Sequence, residues 1–389
     1  MNNAVEELRE INLQDLYTKL QLTDNEFELQ LHIEILEIHL SKFFNRVIHL
    51  LDCLLNDFNA IWRHGDRAPS KKPYPNDPND ESSWPRGWNQ LTNVGILQLL
   101  ELGQFFRERY AGNFTSRKFN FHEVYIRSSS ADRALTSAQA MLNGFFPPME
   151  DHVWNQGATW QPFPIHADSP AEKDPLLKPT SFDCPIYIKI YTNDTESYVN
   201  KLKQTYAELF KFLGNVTGYG STITFDNFLK LNNINREIAQ NMTQPAWVSK
   251  VWPEYDFKTT IQIITEISNE NRVREFNLRS LYYLRGGYIL GDWLKRAKDV
   301  VSGNQKEPSK MVLYSAHDGT LLSLTYALQI NDHQPIPYAA TVIMEIWKND
   351  DGVYEIELLY LKNQKISRVS IPGKRMPFLK NMFYIKNVD

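Results

Sequence analysis

Three segments of this chain share one layout, in which a short apolar strand candidate runs into a polar cluster and then into a helix candidate. They read AIW-RHGDR from residue 60, VYI-RSSSADR from residue 124 and VLY-SAHDGT from residue 312. In an open α/β sheet, ligands bind beyond the carboxyl ends of the strands, so clusters that follow three strands can meet at one edge. The layout therefore favours an α/β fold with a polar site at that edge.

The periodicity of the remaining sequence predicts the elements around these clusters. Apolar residues recur at helical spacing in three stretches that predict helices: residues 36–55, 92–110 and 132–145. Thr92 and Asp132 are typical N-cap residues for the second and third of these. TVIMEIW and VYEIELLYL, on either side of KNDDG, predict a hairpin. The pattern of residues 194–282 is helical throughout.

We expect from this pattern an α/β fold with a Rossmann-like, mostly parallel sheet, flanking helices and an inserted, mainly helical cap domain. The predicted boundaries place an atypical helical extension at residues 1–57, the α/β catalytic core at 58–185 and 283–389, and the helical cap at 186–282. A chain of 389 residues can bury a core large enough for this arrangement.

Composition limits the classes of function. The net charge of −4 disfavours a nucleic-acid partner that is held by whole-domain electrostatics. No stretch is as apolar as a transmembrane helix, and the first twenty residues are acidic and lack the apolar core of a secretory signal peptide. Cys53 and Cys184 are too few to make a disulfide framework.

The three polar clusters form a pocket for an anion if they meet in space. They would bring together three arginines, two histidines and one aspartate: Arg63, Arg67, Arg127, His64, His317 and Asp318. Guanidinium groups bind phosphate or carboxylate oxygens in a fork, and an imidazole beside them can be a nucleophile, an acid or a metal ligand. A binuclear metal site that uses these histidines with Asp66 and Asp318 is disfavoured, because three arginines would repel the ions.

The motifs of this chain resemble those of the histidine acid phosphatases. RHGDRAP matches their RHGxRxP signature and SAHDGT matches their HD motif, and the likeness extends over about residues 60–373. YPNDP, the RS…DRAL segment and WQPFPIHA place it nearer the prostatic and lysosomal acid phosphatases than the phytases. The resemblance implies the histidine phosphatase fold, hydrolysis of phosphomonoesters at acid pH, and a glycoprotein in a secretory, lysosomal or extracellular location.

The resemblance also implies roles for the clustered residues. His64 would attack phosphorus and form a phosphohistidine that water then hydrolyses. Four side chains would bind the phosphoryl oxygens: Arg63, Arg67, Arg127 and His317. Asp318 would protonate the leaving oxygen, and Asp66 would support the site as a second proton donor or by holding the arginines in place. The implied partner is a small phosphomonoester, no metal or other cofactor is implied, and a homodimer is left open.

Other polar residues near the motifs are expected to be structural. Asp132 and Arg133 are interpreted as a helix cap and a packing residue, and His166 as a side chain that satisfies a loop carbonyl. The HD pair taken alone is also typical of a helix cap beside a packed histidine, and only the upstream RHGDRAP favours the catalytic interpretation.

Four features depart from the family pattern. The strand before His64 reads LLNDFNAIW, whereas a central parallel strand is expected to be apolar, so either it shortens to about Phe58–Trp62 or the 57 residues before it are foreign to the original fold. Ser130 stands where the family's RSTDxDR has an acid, HDTT has become HDGT with Gly319 at a helix start, and Cys184 lacks the family's usual partner cysteine near the C-terminus. The altered strand and the missing disulfide partner support one alternative, a catalytically impaired relative that binds a phospholigand, whereas the retained motif residues oppose it.

Overall fold

The structure, a computed structural model, describes two ranges of the chain: residues 53–168 and 173–371. Internal contacts divide the chain into two units, residues 1–54 with 349–351 and residues 55–348 with 352–389. The second unit contains nearly all the elements described below. Residues 36–52 of the first predicted helix lie outside the described ranges. Residues 53–55 belong to a strand, so the prediction of helix there is wrong.

Strands and helices alternate along the described chain. The strands are β1 Cys53–Arg63, β2 Val124–Ser128, β3 Val251–Trp252, β4 Lys258–Thr259, β5 Met311–Ala316, β6 Thr341–Asn349, β7 Tyr354–Lys362 and β8 Lys365–Val369. The helices are α1 Asn93–Tyr110, α2 Asp132–Phe145, α3 Pro185–Thr205, α4 Ala207–Thr217, α5 Phe225–Lys230, α6 Ile234–Ala239, α7 Thr260–Arg274, α8 Tyr282–Val301 and α9 Asp318–Ala327.

The main sheet contains both parallel and antiparallel pairs of strands. Its strand order is β2-β5-β1-β6-β7-β8, with β1 and β2 both parallel to β5. Strands β6 and β7 form the predicted hairpin, and the short strand β8 pairs antiparallel with β7. The predicted α/β class is confirmed, and the expectation of a mostly parallel sheet is corrected to a mixed sheet.

Helices cover the sheet on both faces. On one face, α1 and α2 pack against apolar side chains of β1 and β2 such as Phe58, Trp62 and Ile126. On the other face, α8 and α9 pack against Ile61 and β5. Thr92 caps α1 as predicted, since its hydroxyl accepts from the Gly95 N–H at 3.1 Å. Asp132 does not cap α2: Ala131 occupies the cap position and Asp132 begins the helix.

The central strand β1 accommodates two buried polar side chains. Asp57 accepts two hydrogen bonds from Arg296 of α8, at 2.8 and 2.6 Å, and Asn59 donates to Asp57 at 3.4 Å. A buried carboxylate is tolerated when a guanidinium of matching geometry pairs with it. Because Arg296 provides that partner, the strand keeps its full length from Cys53 to Arg63, and the prediction that it shortens is wrong.

Helices α3 to α7 and the β3–β4 ribbon share an apolar cluster of their own, and we call this group of elements the cap. Leu209, Phe228 and Ile264 are at its centre, and Tyr74 from the loop after β1 completes it. Across the two described ranges, no helix is both long enough and apolar enough to cross a membrane.

Candidate active site

The polar clusters follow three neighbouring strand ends. Arg63, the last residue of β1, lies beside Ala316, the last residue of β5. The His64 N–H donates to the Ala316 carbonyl at 2.9 Å, and the Ser129 N–H donates to the Ser315 carbonyl at 3.1 Å. Because β2, β5 and β1 are adjacent and parallel, the chain leaves all three at the same edge of the sheet.

His64 is buried, with only 3% of its surface exposed. Its Nδ1 lies 2.8 Å from the Gly65 carbonyl oxygen. A carbonyl can only accept, so Nδ1 carries the proton and Nε2 keeps its lone pair. Burial lowers the pKa of His64 well below its usual value, and the positive charge of Arg63 adds to that shift. The imidazole is therefore neutral at mildly acid pH.

A close approach of two backbone segments fixes the loop that carries His64. A Cβ on Gly65 would lie 2.2 Å from the Gly95 carbonyl oxygen, and a Cβ on Gly95 would lie 2.0 Å from the Asp66 carbonyl oxygen. Both distances are far below van der Waals contact, so only glycine fits at either position. The first turn of α1 thus holds the RHGDR loop against the sheet edge.

Asp66 connects the core with the cap. Its Oδ2 accepts from the Thr92 hydroxyl at 2.7 Å and from the Gln240 side-chain amide, just after α6, at 3.0 Å. The carboxylate is buried, and both partners donate to it. This arrangement favours the supporting role over that of a second proton donor.

His317 is also buried, and its ring centroid lies 5.4 Å from that of His64. Arg133 Nη2 approaches His317 Nδ1 at 3.5 Å, and His317 Nε2 lies 2.8 Å from the Ser129 hydroxyl oxygen. Because a guanidinium only donates, Nδ1 is the accepting nitrogen and Nε2 carries the proton. Burial lowers the pKa of His317 well below its usual value, and Arg133 adds to that shift.

Several guanidinium groups surround the two histidines. Arg63 stacks on the Tyr338 ring at 3.9 Å, and the Tyr338 ring lies 6.0 Å from His64. Burial lowers the pKa of Arg67 to about 9, and the charges of Arg236 and Arg133 contribute. Arg67 is thus a desolvated cation with other cations nearby, which is the electrostatic condition of an anion site.

Arg127 lies apart from this group, contrary to its predicted place. Its guanidinium pairs with Asp174 at 3.4 Å and Asp168 at 3.5 Å, and it lines a separate cavity of about 420 Å³. Side chains alternate along a strand, and Arg127 shares its half-buried face of β2 with Tyr125, opposite the buried side chains.

Arg133 stands beside the histidines instead of Arg127, so its interpretation as a packing residue is corrected. One signal in the sequence could have found it. A cation in the first turn of a helix opposes the helix dipole, and such a residue therefore suggests another role. Arg236 and Arg272, which the cap contributes, lie in a block that reads only as amphipathic helix, and no motif identifies them.

Asp318 lies at the start of α9, with its side chain 28% exposed. Its Oδ2 accepts from Arg272 Nε at 2.9 Å. Although burial alone would raise the pKa of Asp318, Arg272 and Arg63 hold it well below the usual carboxyl value. In the ligand-free protein this side chain is a carboxylate.

A cleft of about 570 Å³ opens between the core loops and the cap. Arg63, Asp318 and Tyr338 line it from the core, and Arg236 and Arg272 line it from the cap. Within the described parts of the chain, no three His, Cys, Asp or Glu side chains are grouped so that they could hold a metal ion. The arrangement can therefore bind an anion with guanidinium groups beside two neutral imidazoles.

Comparison with known proteins places this geometry in a family. Residues 55–361 match the family described as histidine phosphatase superfamily (branch 2). The chain is 33% identical over 327 residues to a lysosomal acid phosphatase of Xenopus laevis, covering 80% of this chain and 71% of that one. It is 34% identical over 303 residues to a prostatic acid phosphatase of Rattus norvegicus, covering 77% and 76%.

Solved structures share the fold at much lower identity. A phytase of Klebsiella sp ASR1 superposes with a TM-score of 0.60 at 16% identity, over 84% of this chain and 90% of that one. The apo form of a Hafnia alvei phytase superposes with a TM-score of 0.57 at 16% identity, over 83% and 92%. At these identities the likeness concerns the fold.

Proposed function

Because this chain belongs to branch 2 of the histidine phosphatase superfamily, we propose that it is an acid phosphatase, which hydrolyses phosphomonoesters to an alcohol and inorganic phosphate. The observation that carries this proposal is His64: a buried, neutral imidazole with Nδ1 committed to the Gly65 carbonyl, among several guanidinium groups.

His64 is the proposed nucleophile. Its Nε2 lone pair forms a bond to phosphorus as the bond from phosphorus to the leaving oxygen breaks, and water then hydrolyses the phosphohistidine. A nucleophilic histidine must be neutral, and an ordinary histidine would be largely protonated below pH about 6.5. The lowered pKa of His64 supports attack at the acid pH at which an acid phosphatase works.

The phosphoryl oxygens are proposed to bind the cationic and polar groups around His64: Arg63, Arg67, Arg133 and His317. Preorganised donors of this kind stabilise charge that develops in the transition state. Arg127 is left out of this set, because its guanidinium pairs with Asp168 and Asp174.

Asp318 is the proposed proton donor to the leaving oxygen and, in the second step, the acceptor of a proton from water. It lines the cleft beside Arg63 at the carboxyl end of β5. Its pairing with Arg272 keeps it ionised in the free protein.

The alternative of a catalytically impaired relative loses its main support. It depended on a first strand that could no longer position His64, but β1 is complete and Asp57 is paired with Arg296. Asp66, Gly65 and Gly95 hold the following loop in place.

From its similarity to these relatives we also propose that the protein is a glycoprotein in a secretory or lysosomal location. Four N-x-[ST] sites begin at exposed residues: Asn113, Asn193, Asn215 and Asn241. Expression in a eukaryotic secretory host followed by an endoglycosidase should lower the mass of the protein. An unchanged mass would contradict glycosylation.

The activity is tested with purified protein and p-nitrophenyl phosphate between pH 4 and 7. We expect His64→Ala to abolish hydrolysis and His166→Ala, which changes an exposed histidine, to retain it. Equal hydrolysis by the wild type and the His64→Ala variant would reject the assignment.

A further inference from the structure

The ion pair of Asp318 with Arg272 joins the core to the cap. Arg272 extends from the last turn of α7, and besides Asp318 it pairs with Glu275 through Nη1 at 2.5 Å. Glu275 is held in turn by Arg285 of α8 at 2.7 Å. Two carboxylates and the Phe276 ring, 4.9 Å from its guanidinium carbon, thus fix the Arg272 side chain in one position.

The end of the Arg272 side chain lies in space that a side chain at position 319 would crowd. A Cβ on Gly319 would lie 2.9 Å from Arg272 Nη2, 3.2 Å from Thr180 Cγ2 and 3.3 Å from Phe276 Cζ. The HDTT motif of the resembled family has a threonine at this position. Glycine at a helix start lowers helix stability by up to about 1 kcal/mol, so its presence needs a reason, and the guanidinium of Arg272 provides one.

The charged and titratable groups that face Asp318 come from several elements packed against it: Arg63 at the end of β1 and His64 next to it, Arg272 and Glu275 at the end of α7, and His317 beside it. The two guanidinium groups outweigh burial, so the pKa of Asp318 is well below its usual value. A carboxylate has no proton to give to a leaving oxygen. Only the small protonated fraction of Asp318 can act as an acid.

We propose that Arg272, in the space left by Gly319, is a positioning residue that holds Asp318 as a carboxylate and thereby selects phosphomonoesters of acidic alcohols, such as aryl phosphates. The inference rests on the proposed phosphatase activity. When Nε2 of His64 bonds to phosphorus, the electron pair of the breaking P–O bond goes to the leaving oxygen. A phenol has a pKa of about 10, so its anion leaves unprotonated, whereas an alkoxide, with a conjugate acid near the ~16 of water, needs a proton from Asp318.

The two partners of this ion pair should have opposite effects on substrate choice. Asp318→Ala removes the acid and lowers hydrolysis of alkyl phosphates relative to aryl phosphates. Arg272→Gln raises the protonated fraction of Asp318, about tenfold for each pKa unit regained, and so raises alkyl relative to aryl hydrolysis. If the ion pair only stabilised the fold, removing either partner would affect both esters alike. The alkyl-to-aryl ratio would then not change in opposite directions in the two variants.

The test measures kcat and KM for glycerol 2-phosphate and p-nitrophenyl phosphate from pH 4 to 7. In Arg272→Gln we expect the alkyl-to-aryl ratio of kcat at pH 5.5 to rise about tenfold or more, and the alkaline limb of the alkyl profile to move up by about one pH unit. Gly319→Ala, whose Cβ displaces Arg272, should change both in the same direction. Arg274→Gln, in the same helix and paired with Asp194 at 2.7 Å, is the matched control and should change neither.

An Arg272→Gln ratio within twofold of wild type, or an equal loss for both esters, would overturn the inference. If Arg272→Gln does not fold, Gly319→Ala decides by the same criterion. Failure of the underlying phosphatase proposal looks different, because then neither ester is hydrolysed by wild type in a way that depends on His64.

Discussion

The two buried histidines predict a specific loss of stability in acid. His64 and His317 are neutral in the folded protein, and burial lowers the pKa of each well below the value of about 6.5 expected in the unfolded chain. Below that pH the unfolded state therefore binds more protons than the folded state. The free energy of unfolding must fall as the pH falls from about 6.5 toward the folded-state pKa values.

The size of this effect follows from linkage. A histidine that takes up no proton in the folded state lowers the free energy of unfolding by about 1.4 kcal/mol between pH 7.5 and 5.5, and two such groups lower it by about 2.8 kcal/mol. Replacing His64 with Asn should remove about half of this loss, and replacing both His64 and His317 should remove nearly all of it.

Urea unfolding at the two pH values measures the change directly. Groups that lie away from the two imidazoles titrate alike in wild type and variants, so their contribution cancels when the pH-dependent changes are subtracted. Asp318, which faces His64, stays ionised across this pH range because its pKa is well below the usual value. His166→Asn is the matched control, because it replaces an exposed histidine outside the site and should leave the pH-dependent loss unchanged. A double variant that loses as much stability in acid as wild type would refute the conclusion that these imidazoles are buried and neutral.

Two further changes test how the structure positions the site. Burial raises the pKa of Asp57 to about 7 even beside Arg296, so Arg296→Leu should lower the free energy of unfolding by about 3–5 kcal/mol in urea unfolding at pH 8, where Asp57 is ionised in the wild type; a loss below about 1 kcal/mol would contradict the pairing. Gly95→Ala forces a methyl group into the Asp66 backbone and should destabilise the fold by about 1–3 kcal/mol and weaken binding of inorganic phosphate, measured by calorimetry. Gly291→Ala, where no atom lies within 4 Å of the added Cβ, is its control, and equal effects of the two would refute the close-approach argument.

Much of the fold could be predicted because its signals are local. The apolar runs VYI at residues 124–126 and VLY at 312–314 predict strands, and Thr92 predicts the start of α1. The convergence of the polar clusters followed from one general property, that parallel strands deliver their carboxyl ends to the same edge. The convergence can therefore be predicted without knowing which distant residues are in contact.

The features that were missed depend on partners far away in the sequence. Asp57 looks incompatible with a central strand until Arg296, 239 residues later, is placed beside it. The choice between Arg127 and Arg133 depends on which face of the sheet edge each reaches and on the carboxylates that Arg127 meets. Arg272 becomes visible only when the cap lies over Gly319, which a pattern of apolar residues cannot show.

The most direct measurement is to trap and map the phosphorylated intermediate. Protein mixed with ³²P-labelled p-nitrophenyl phosphate at acid pH and quenched within milliseconds into alkali should carry label on the peptide that contains His64. The hydrogen bond from Nδ1 to the Gly65 carbonyl predicts that the phosphate is on Nε2. Label on Nδ1, label on another residue, or label that persists in the His64→Ala variant would contradict the account.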